Sequence, residues 1–83
     1  MRFINVGFNN MINSDRIVAL VSSDSAPAKR LVQDSKDSGR AIDCSGGKKT
    51  RTVIITDSDH VILSSVEPEK MAERLAENEE TEE

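Results

Sequence analysis

The residues best suited to chemistry are three cations that follow a pair of glycines. Residues 46–51 read G-G-K-K-T-R, and we call this segment the basic turn. The glycines allow a tight turn, and their N–H groups can form a small anion-binding concavity. On an extended strand Lys49 and Arg51 point to one face, and Lys48 can lean toward the same side. The pattern indicates a phosphate-contacting hairpin. The glycine spacing of a nucleotide-binding P-loop is incomplete, and a solvated basic turn is the alternative.

A fourth cation, Arg16, directly precedes the apolar segment 17–21. We expect Arg16 to project from the rim of a sheet beside the basic turn, where it adds to the positive charge. The alternative is an ordinary surface ion pair with Asp15 or another acid. The candidate binding residues are therefore Arg16, Lys48, Lys49 and Arg51.

Groups that could support catalysis or hold a metal are sparse. Asp57, Asp59 and His60 place three potential ligands within four residues, but no second cluster completes a coordination sphere, and a polar turn is expected instead. Cys44 has no His near it in sequence, and a single Cys allows no disulfide framework. We therefore expect a reduced structural thiol, no enzymatic activity, no metal and no cofactor.

Charge is distributed unevenly along the 83 residues, whose formal net charge is −4. Residues 1–66 carry nine basic and seven acidic side chains, whereas residues 67–83 carry eight Glu and two bases. Between positions 29 and 51 there are seven bases and three acids. A basic middle with an acidic tail is an asymmetry of polyanion-binding proteins, although a merely solubilising tail gives the same pattern.

Composition also excludes several classes of protein. Two Phe, with no Trp and no Tyr, leave few platforms on which single-stranded nucleic acid could stack. No apolar run reaches the roughly 18 residues that cross a bilayer, and no secretory signal opens the chain. We expect a cytoplasmic protein with no membrane partner.

Short strands and two helices must position the cations. Strands are expected over residues 2–8, 17–21 and 41–44, with a short one at 11–12, and a hairpin is expected from residues 50–56 and 60–65. One helix begins at a cap within 22–25 and ends at about Ser38, before Gly39. Its apolar face consists of Ala28, Leu31, Val32 and Ser35. A shorter second helix begins near Pro68, and its stripe consists of Met71, Ala72, Leu75 and Ala76.

These elements predict an α+β fold with a small, mostly antiparallel sheet of about five strands, one central helix and a shorter C-terminal helix. The apolar runs at 17–21, 53–55 and 61–63 are typical of strands covered on both faces. Because two short helices can hardly cover both faces, we expect self-association to cover the rest. A few exposed Val and Ile on one-sided strands are the alternative.

The sequence resembles the RemA family of bacterial regulators of extracellular-matrix genes over about residues 2–75. The resemblance lies in residues 3–8 (F-I-N-V-G-F), 15–16 (D-R) and 25–30 (S-A-P-A-K-R). It continues through residues 32–34 (V-Q-D), 42–43 (I-D), 47–51 (G-K-K-T-R) and 57–64 (D-S-D-H-V-I-L-S). The acidic tail lies outside it.

The resemblance implies a cytoplasmic, nucleoid-associated transcriptional regulator that binds double-stranded DNA and activates biofilm-matrix operons. It also implies a homo-oligomeric ring of roughly seven or eight subunits, around which DNA can bend. The family's DNA-contacting arginines fall on Arg16, Lys48 and Lys49, and Arg51 is our addition. Lysine keeps the charge of arginine without its bidentate fork.

The chain is accordingly interpreted as one DNA-binding and oligomerisation domain over residues 1–76, followed by an acidic disordered tail over residues 77–83. Two other functions stay open on the residues alone. The same basic turn could bind RNA, or the protein could be a self-assembling structural subunit without a nucleic-acid role.

Overall fold

The computed structural model describes residues 2–82, without the side chains of 78–82. In chain order the elements are β1 (Phe3–Asn5), β2 (Met11–Asn13), a 3-10 turn (Ser14–Arg16), β3 (Ile17–Ser22), α1 (Ala26–Asp37), β4 (Ala41–Asp43), β5 (Thr52–Thr56), β6 (Val61–Ser64) and α2 (Pro68–Glu82). The α+β class is confirmed.

The strands form two sheets, and the prediction of a single sheet of about five strands is wrong. β1 and β2 make an antiparallel ribbon, which we call the N-terminal ribbon, and the other four strands lie in the order β3-β5-β6-β4. The predicted β5–β6 hairpin is confirmed, with Val53 opposite Leu63. β4 pairs with β6 in parallel, because α1 carries the chain across the sheet before β4 begins.

Both faces of the central hairpin are covered within one chain. On one face Val53, Val61 and Leu63 pack against Leu31 and Val32 of α1. Burying a side chain of this kind stabilises the fold by about 1.5–3 kcal/mol. The predicted apolar face of α1 is therefore confirmed.

The opposite face is covered by a layer that the sequence analysis did not assign to it. Ile54 and Ile62 pack there against Ile4 and Val6 of the N-terminal ribbon segment and against Met71 of α2. The Ser64 hydroxyl donates to the Val6 carbonyl at 2.6 Å and anchors the ribbon segment to the sheet. The N-terminal segment therefore covers a face that the two helices alone do not cover, and self-association stays a prediction.

Apolar surface nevertheless stays exposed away from the central strands. Val18 on β3 is 66% exposed, and Ile42 on β4 is 45% exposed. These two strands are the edges of the four-stranded sheet. Phe3, Phe8 and Met11 of the N-terminal ribbon and its tip are also more than half exposed.

Local sequence explains where α1 begins and ends. The Ser25 hydroxyl accepts a hydrogen bond from the Ala28 N–H at 3.2 Å, and Pro27 occupies the first turn. Such a cap stabilises a helix by about 1 kcal/mol. Gly39 follows with a φ of 76°, the left-handed conformation that ends many helices.

α2 begins at Pro68 as predicted, but with 15 residues it is longer than α1, which has 12. The prediction of a shorter C-terminal helix is therefore wrong. Arg74 ties α2 to β1 by donating to the Asn5 carbonyl at 2.7 Å. The backbone is helical to Glu82, and the side chains of 78–83 lie outside the described residues. The disordered tail over 77–83 stays a prediction.

Candidate nucleic-acid interface

The basic turn begins at a local hydrogen-bonded motif. The Asp43 carboxylate accepts from the N–H of Ser45 at 2.9 Å and also from its hydroxyl. These two bonds, led by the hydroxyl, hold the pKa of Asp43 below its ordinary value, and the charge of Lys36 adds to the effect. The Ser45 carbonyl then accepts from the Lys48 N–H at 3.1 Å and closes the turn.

The two glycines form the apex of this turn. Gly46 has a φ of 63° and Gly47 a φ of 81°, conformations that residues with a Cβ rarely adopt. Within residues 2–82 the N–H groups of Gly46 and Gly47 donate to no protein group. Two free N–H groups next to exposed lysines are the arrangement that binds anions.

The three cations diverge from the turn. The Lys48 ammonium lies 5.8 Å from the centroid of the Phe8 ring. Lys49 lines a shallow cavity of about 300 Å³ together with Asp24 and with Lys29 of α1. Neither Lys48 nor Lys49 has an acidic partner within 4.0 Å in the part of the chain that the structure describes.

Arg51 lies in a different electrostatic environment. It lines a hollow of about 210 Å³ with Asp24 and with Glu67 and Glu69 at the start of α2. β5 begins at Thr52, and the backbone of Arg51 still pairs with Ser64 and Ser23 on either side. The shared face of Lys49 and Arg51 stays a prediction. Three carboxylates weaken the positive potential at Arg51.

Arg16 lies at the opposite end of β5. β3 and β5 are antiparallel, with Ile17 opposite Thr56, and Arg16 is therefore next to the β5–β6 turn. Its Nε donates to both carboxylate oxygens of Asp57 at 2.8 and 2.9 Å, although both side chains are about half exposed. The five residues of β5 separate it from the basic turn by about 17 Å.

The expectation that Arg16 lies beside the basic turn within one subunit is therefore wrong, and the alternative of a surface ion pair is confirmed. The partner is Asp57 and not the neighbouring Asp15, which pairs with Arg2 at 3.2 Å. The Asp57 ion pair uses only Nε, and the two terminal nitrogens of Arg16 make no hydrogen bond with the described residues.

The remaining candidates make local contacts. In the β5–β6 turn the hydroxyl of Ser58 lies 2.8 Å from Nδ1 of His60, and Asp59 has a φ of 65°. Residues 2–77, whose side chains are described, contain no group of three His, Cys, Asp or Glu able to hold a metal. Cys44 is buried, and burial followed by the charge of Asp43 raises the pKa of its thiol.

Two residues of this surface were not found from the sequence. Asp57 was assigned only to a turn, because its pairing with Arg16 depends on the strand register. Phe8 was expected at the end of a strand over residues 2–8, but β1 ends at Asn5, and the Phe8 ring packs on Gly46 at the apex of the basic turn. The asparagines at 9 and 10, a turn signal directly after Phe8, place it at an exposed tip.

Among the described residues, no helix combines the length and the apolar character needed to cross a membrane.

Comparison with known proteins gives the chain a family. The profile of the extracellular matrix regulatory protein A-like family, RemA-like, matches residues 3–75. A protein of Geobacillus thermodenitrificans, described as regulatory, is 57% identical over 75 residues, which cover 90% of this chain and 86% of the relative. A protein of Clostridium botulinum with the same description is 54% identical over 80 residues, covering 96% of this chain and 90% of the relative. The family match includes both ends of β5 and the basic turn, and the chain therefore belongs to the RemA-like family of regulatory proteins.

Proposed function

We propose that the protein is a transcriptional regulator that binds duplex DNA and activates biofilm-matrix operons. DNA is held by Arg16, Lys48, Lys49 and, more weakly, Arg51, repeated around a homo-oligomeric ring of roughly seven or eight subunits. The regulatory role follows from the family, and the matrix genes are those that the family description indicates.

The observation that carries DNA binding is the exposed, unpaired charge of the basic turn. Lys48 and Lys49 have no acid within ion-pair distance in the described chain, and the N–H groups of Gly46 and Gly47 are free beside them. A phosphate can therefore gain charge-assisted hydrogen bonds without first displacing a carboxylate. Most protein–DNA hydrogen bonds are made to phosphate or sugar.

Arg16 supplies a second contact through its terminal nitrogens. Its distance from the basic turn, about 17 Å along β5, is roughly half of a DNA helical turn. One subunit can therefore contact the DNA backbone at two separate places. Arg51 contributes less, because Asp24, Glu67 and Glu69 line the same hollow.

The ring is supported by the apolar edges of the sheet. Val18 on β3 and Ile42 on β4 are exposed, and these two strands form the two opposite edges of the four-stranded sheet. When one edge of a subunit packs against the other edge of its neighbour, the contact is head-to-tail, and such contacts generate a ring when the rotation between neighbours closes. Exposed apolar edges of this kind are otherwise uncommon in monomers.

Multivalency explains why a ring is needed. A few phosphate contacts per subunit give weak binding, since log K falls with log salt by about 0.9 for each neutralised phosphate. In a ring the later contacts become intramolecular, and avidity can increase affinity by about 10²- to 10⁴-fold. With few base-reading residues, specificity then depends mainly on how easily the DNA bends.

Fluorescence anisotropy with a labelled duplex, measured at several salt concentrations, tests the proposal. We expect Lys48→Ala, Lys49→Ala and Arg16→Ala each to weaken binding and to reduce the salt slope. Lys70→Ala is the matched control, because it removes the same charge from a residue already 4.0 Å from Glu73. The native mass of each variant distinguishes lost contacts from lost assembly. Equal binding by the wild type and all four variants contradicts the assigned face.

Two further measurements separate the alternatives. Competition by double-stranded RNA at equal or lower concentration than DNA favours an RNA-binding protein, and the absence of any binding by an assembled ring favours a structural subunit. Activation is tested by matrix-gene transcription in a host strain that lacks its own family member. We expect the wild type to restore transcription and Lys48→Ala to fail.

A further inference from the structure

Phe8 occupies an unusual place for a large apolar residue. It lies at the tip of the N-terminal ribbon, 56% of it is exposed, and its φ is 52°. A bulky residue in the left-handed region is an outlier that persists only when its surroundings enforce it, and such outliers cluster at functional sites.

Hydrogen bonds hold the tip in this conformation. The Val6 N–H donates to the Asn10 carbonyl at 2.8 Å, and the Gly7 carbonyl accepts from the backbone of Asn10 at 2.9 Å. The Gly7 N–H also donates to the side chain of Asn5 at 2.7 Å. The backbone of the tip is therefore held by its own hydrogen bonds, and it carries the exposed ring.

The underside of the ring rests on the basic turn. A Cβ built on Gly46 would lie 2.4 Å from a carbon of the Phe8 ring, which shows how closely the ring lies on the glycine backbone. The Lys48 ammonium is 5.8 Å from the ring centroid. An exposed aromatic ring and a cation without an acidic partner in the described chain thus lie side by side.

We propose that Phe8 is a DNA-bending wedge, which inserts its exposed edge between two base pairs from the minor groove while Lys48 contacts a flanking phosphate. This inference rests on the proposed DNA binding and adds a mechanism for bending. Proteins that kink DNA from the minor groove insert apolar side chains, Phe among them, at a base step. Pyrimidine–purine steps unstack most easily, and TA steps are the preferred substrate.

The test uses a duplex with one central TA step whose adenine is replaced by 2-aminopurine, a base that becomes fluorescent when unstacked. Wild-type protein should increase the fluorescence. Phe8→Asn removes the ring while tolerating the left-handed backbone, and we expect it to abolish the increase and to weaken binding about tenfold without changing the salt slope. Phe8→Leu retains an apolar wedge and should keep part of the signal. Phe3→Ala, the control at another exposed Phe, should behave as wild type.

The outcomes separate this inference from the proposed function. If the wild type binds DNA and Lys48→Ala weakens it, but Phe8→Asn keeps the full fluorescence increase, the wedge is wrong and DNA binding stands. If Phe8→Asn instead reduces the native mass of the assembly, Phe8 belongs to a subunit interface and the wedge is also wrong. If the wild type binds no duplex at all, both proposals fail.

Discussion

The cations at the two ends of β5 differ in whether an acidic side chain pairs with them. At the Thr52 end, Lys48 and Lys49 have no acidic partner within ion-pair distance in the described chain, and two free N–H groups lie beside them. At the Thr56 end, Arg16 is held by both oxygens of Asp57. Residues of the same charge are therefore not equivalent as anion sites.

The difference follows from what each strand end meets. The antiparallel register brings Arg16 to the tight turn that joins β5 to β6, where Asp57 is the first residue. The basic turn instead follows β4, and the carboxylate at its start, Asp43, is already bonded to Ser45. An acidic turn residue therefore pairs with the cation at one end of the strand, whereas Lys48 and Lys49 at the other end have no ion pair within the described chain.

The largest effect is expected when the positive end is removed. The double variant Lys48→Ala, Lys49→Ala should weaken duplex binding by about 100-fold or more near 0.15 M salt, because every subunit loses two phosphate contacts. Arg16→Ala should weaken duplex binding less, because the negative charge of Asp57 already offsets much of the positive charge that this substitution removes. Anisotropy titrations measure both variants. A greater loss from Arg16→Ala than from the double variant would reverse the ranking of the two ends.

The next effect concerns the stability of the turn itself. Gly46→Ala should lower the free energy of unfolding by about 2–3 kcal/mol, because the left-handed backbone is strained by a Cβ and the new methyl displaces the Phe8 ring. Gly47→Ala is the matched control, since a Cβ there has the same strain but meets nothing within 4 Å. It should cost about 1 kcal/mol. Urea denaturation measures both, and equal losses would mean that the ring does not rest on Gly46.

A smaller gain in affinity is expected at the neutralised end. Asp57→Asn removes the carboxylate that faces Arg16 and should strengthen duplex binding about two- to fivefold at low salt. The free energy of unfolding should fall by no more than about 1 kcal/mol. Asp59→Asn controls for net charge in the same turn, because Asn tolerates its φ of 65° and no ion pair of Asp59 is found in the described chain. Identical gains from the two variants would show a general charge effect instead.

The smallest effect is a pH dependence at the start of the basic turn. The pKa of Asp43 is lowered in the folded protein, and its contribution to stability is therefore full above its unfolded pKa and is lost as the pH falls through the folded one. Asp43→Asn should lower the urea midpoint at pH 7 but leave it close to wild type at pH 2. Ser45→Ala, which removes one of the two bonds, should lie between them. A constant difference between wild type and Asp43→Asn at all pH values contradicts this linkage.

Local sequence patterns were sufficient to predict most of the helices and strands. The caps of α1, its apolar face and the β5–β6 hairpin follow from short-range patterns and are confirmed. The length of α2 and the number of sheets were wrong. A ribbon of two three-residue strands carries too little periodicity to show what it packs against.

Some residues of the candidate site could likewise be predicted from local sequence, and others could not. The position of Lys48 and Lys49 directly after a glycine turn was predicted, and their contact with phosphate stays a prediction. The positions of Arg16 and Phe8 could not be predicted, because each depends on a residue about 40 positions away, Asp57 for Arg16 and Gly46 for Phe8.

The amino-acid sequence by itself determined the secondary structure of the body, the charge of the basic turn and the membership of a regulatory family, since each depends on residue types at short spacing. Tertiary structure alone decided which cations stay free, which face the N-terminal ribbon covers and what lies beneath Phe8. The physical reason is that strand pairing and register depend on which apolar faces are buried together. That choice belongs to the whole chain and not to any segment of it.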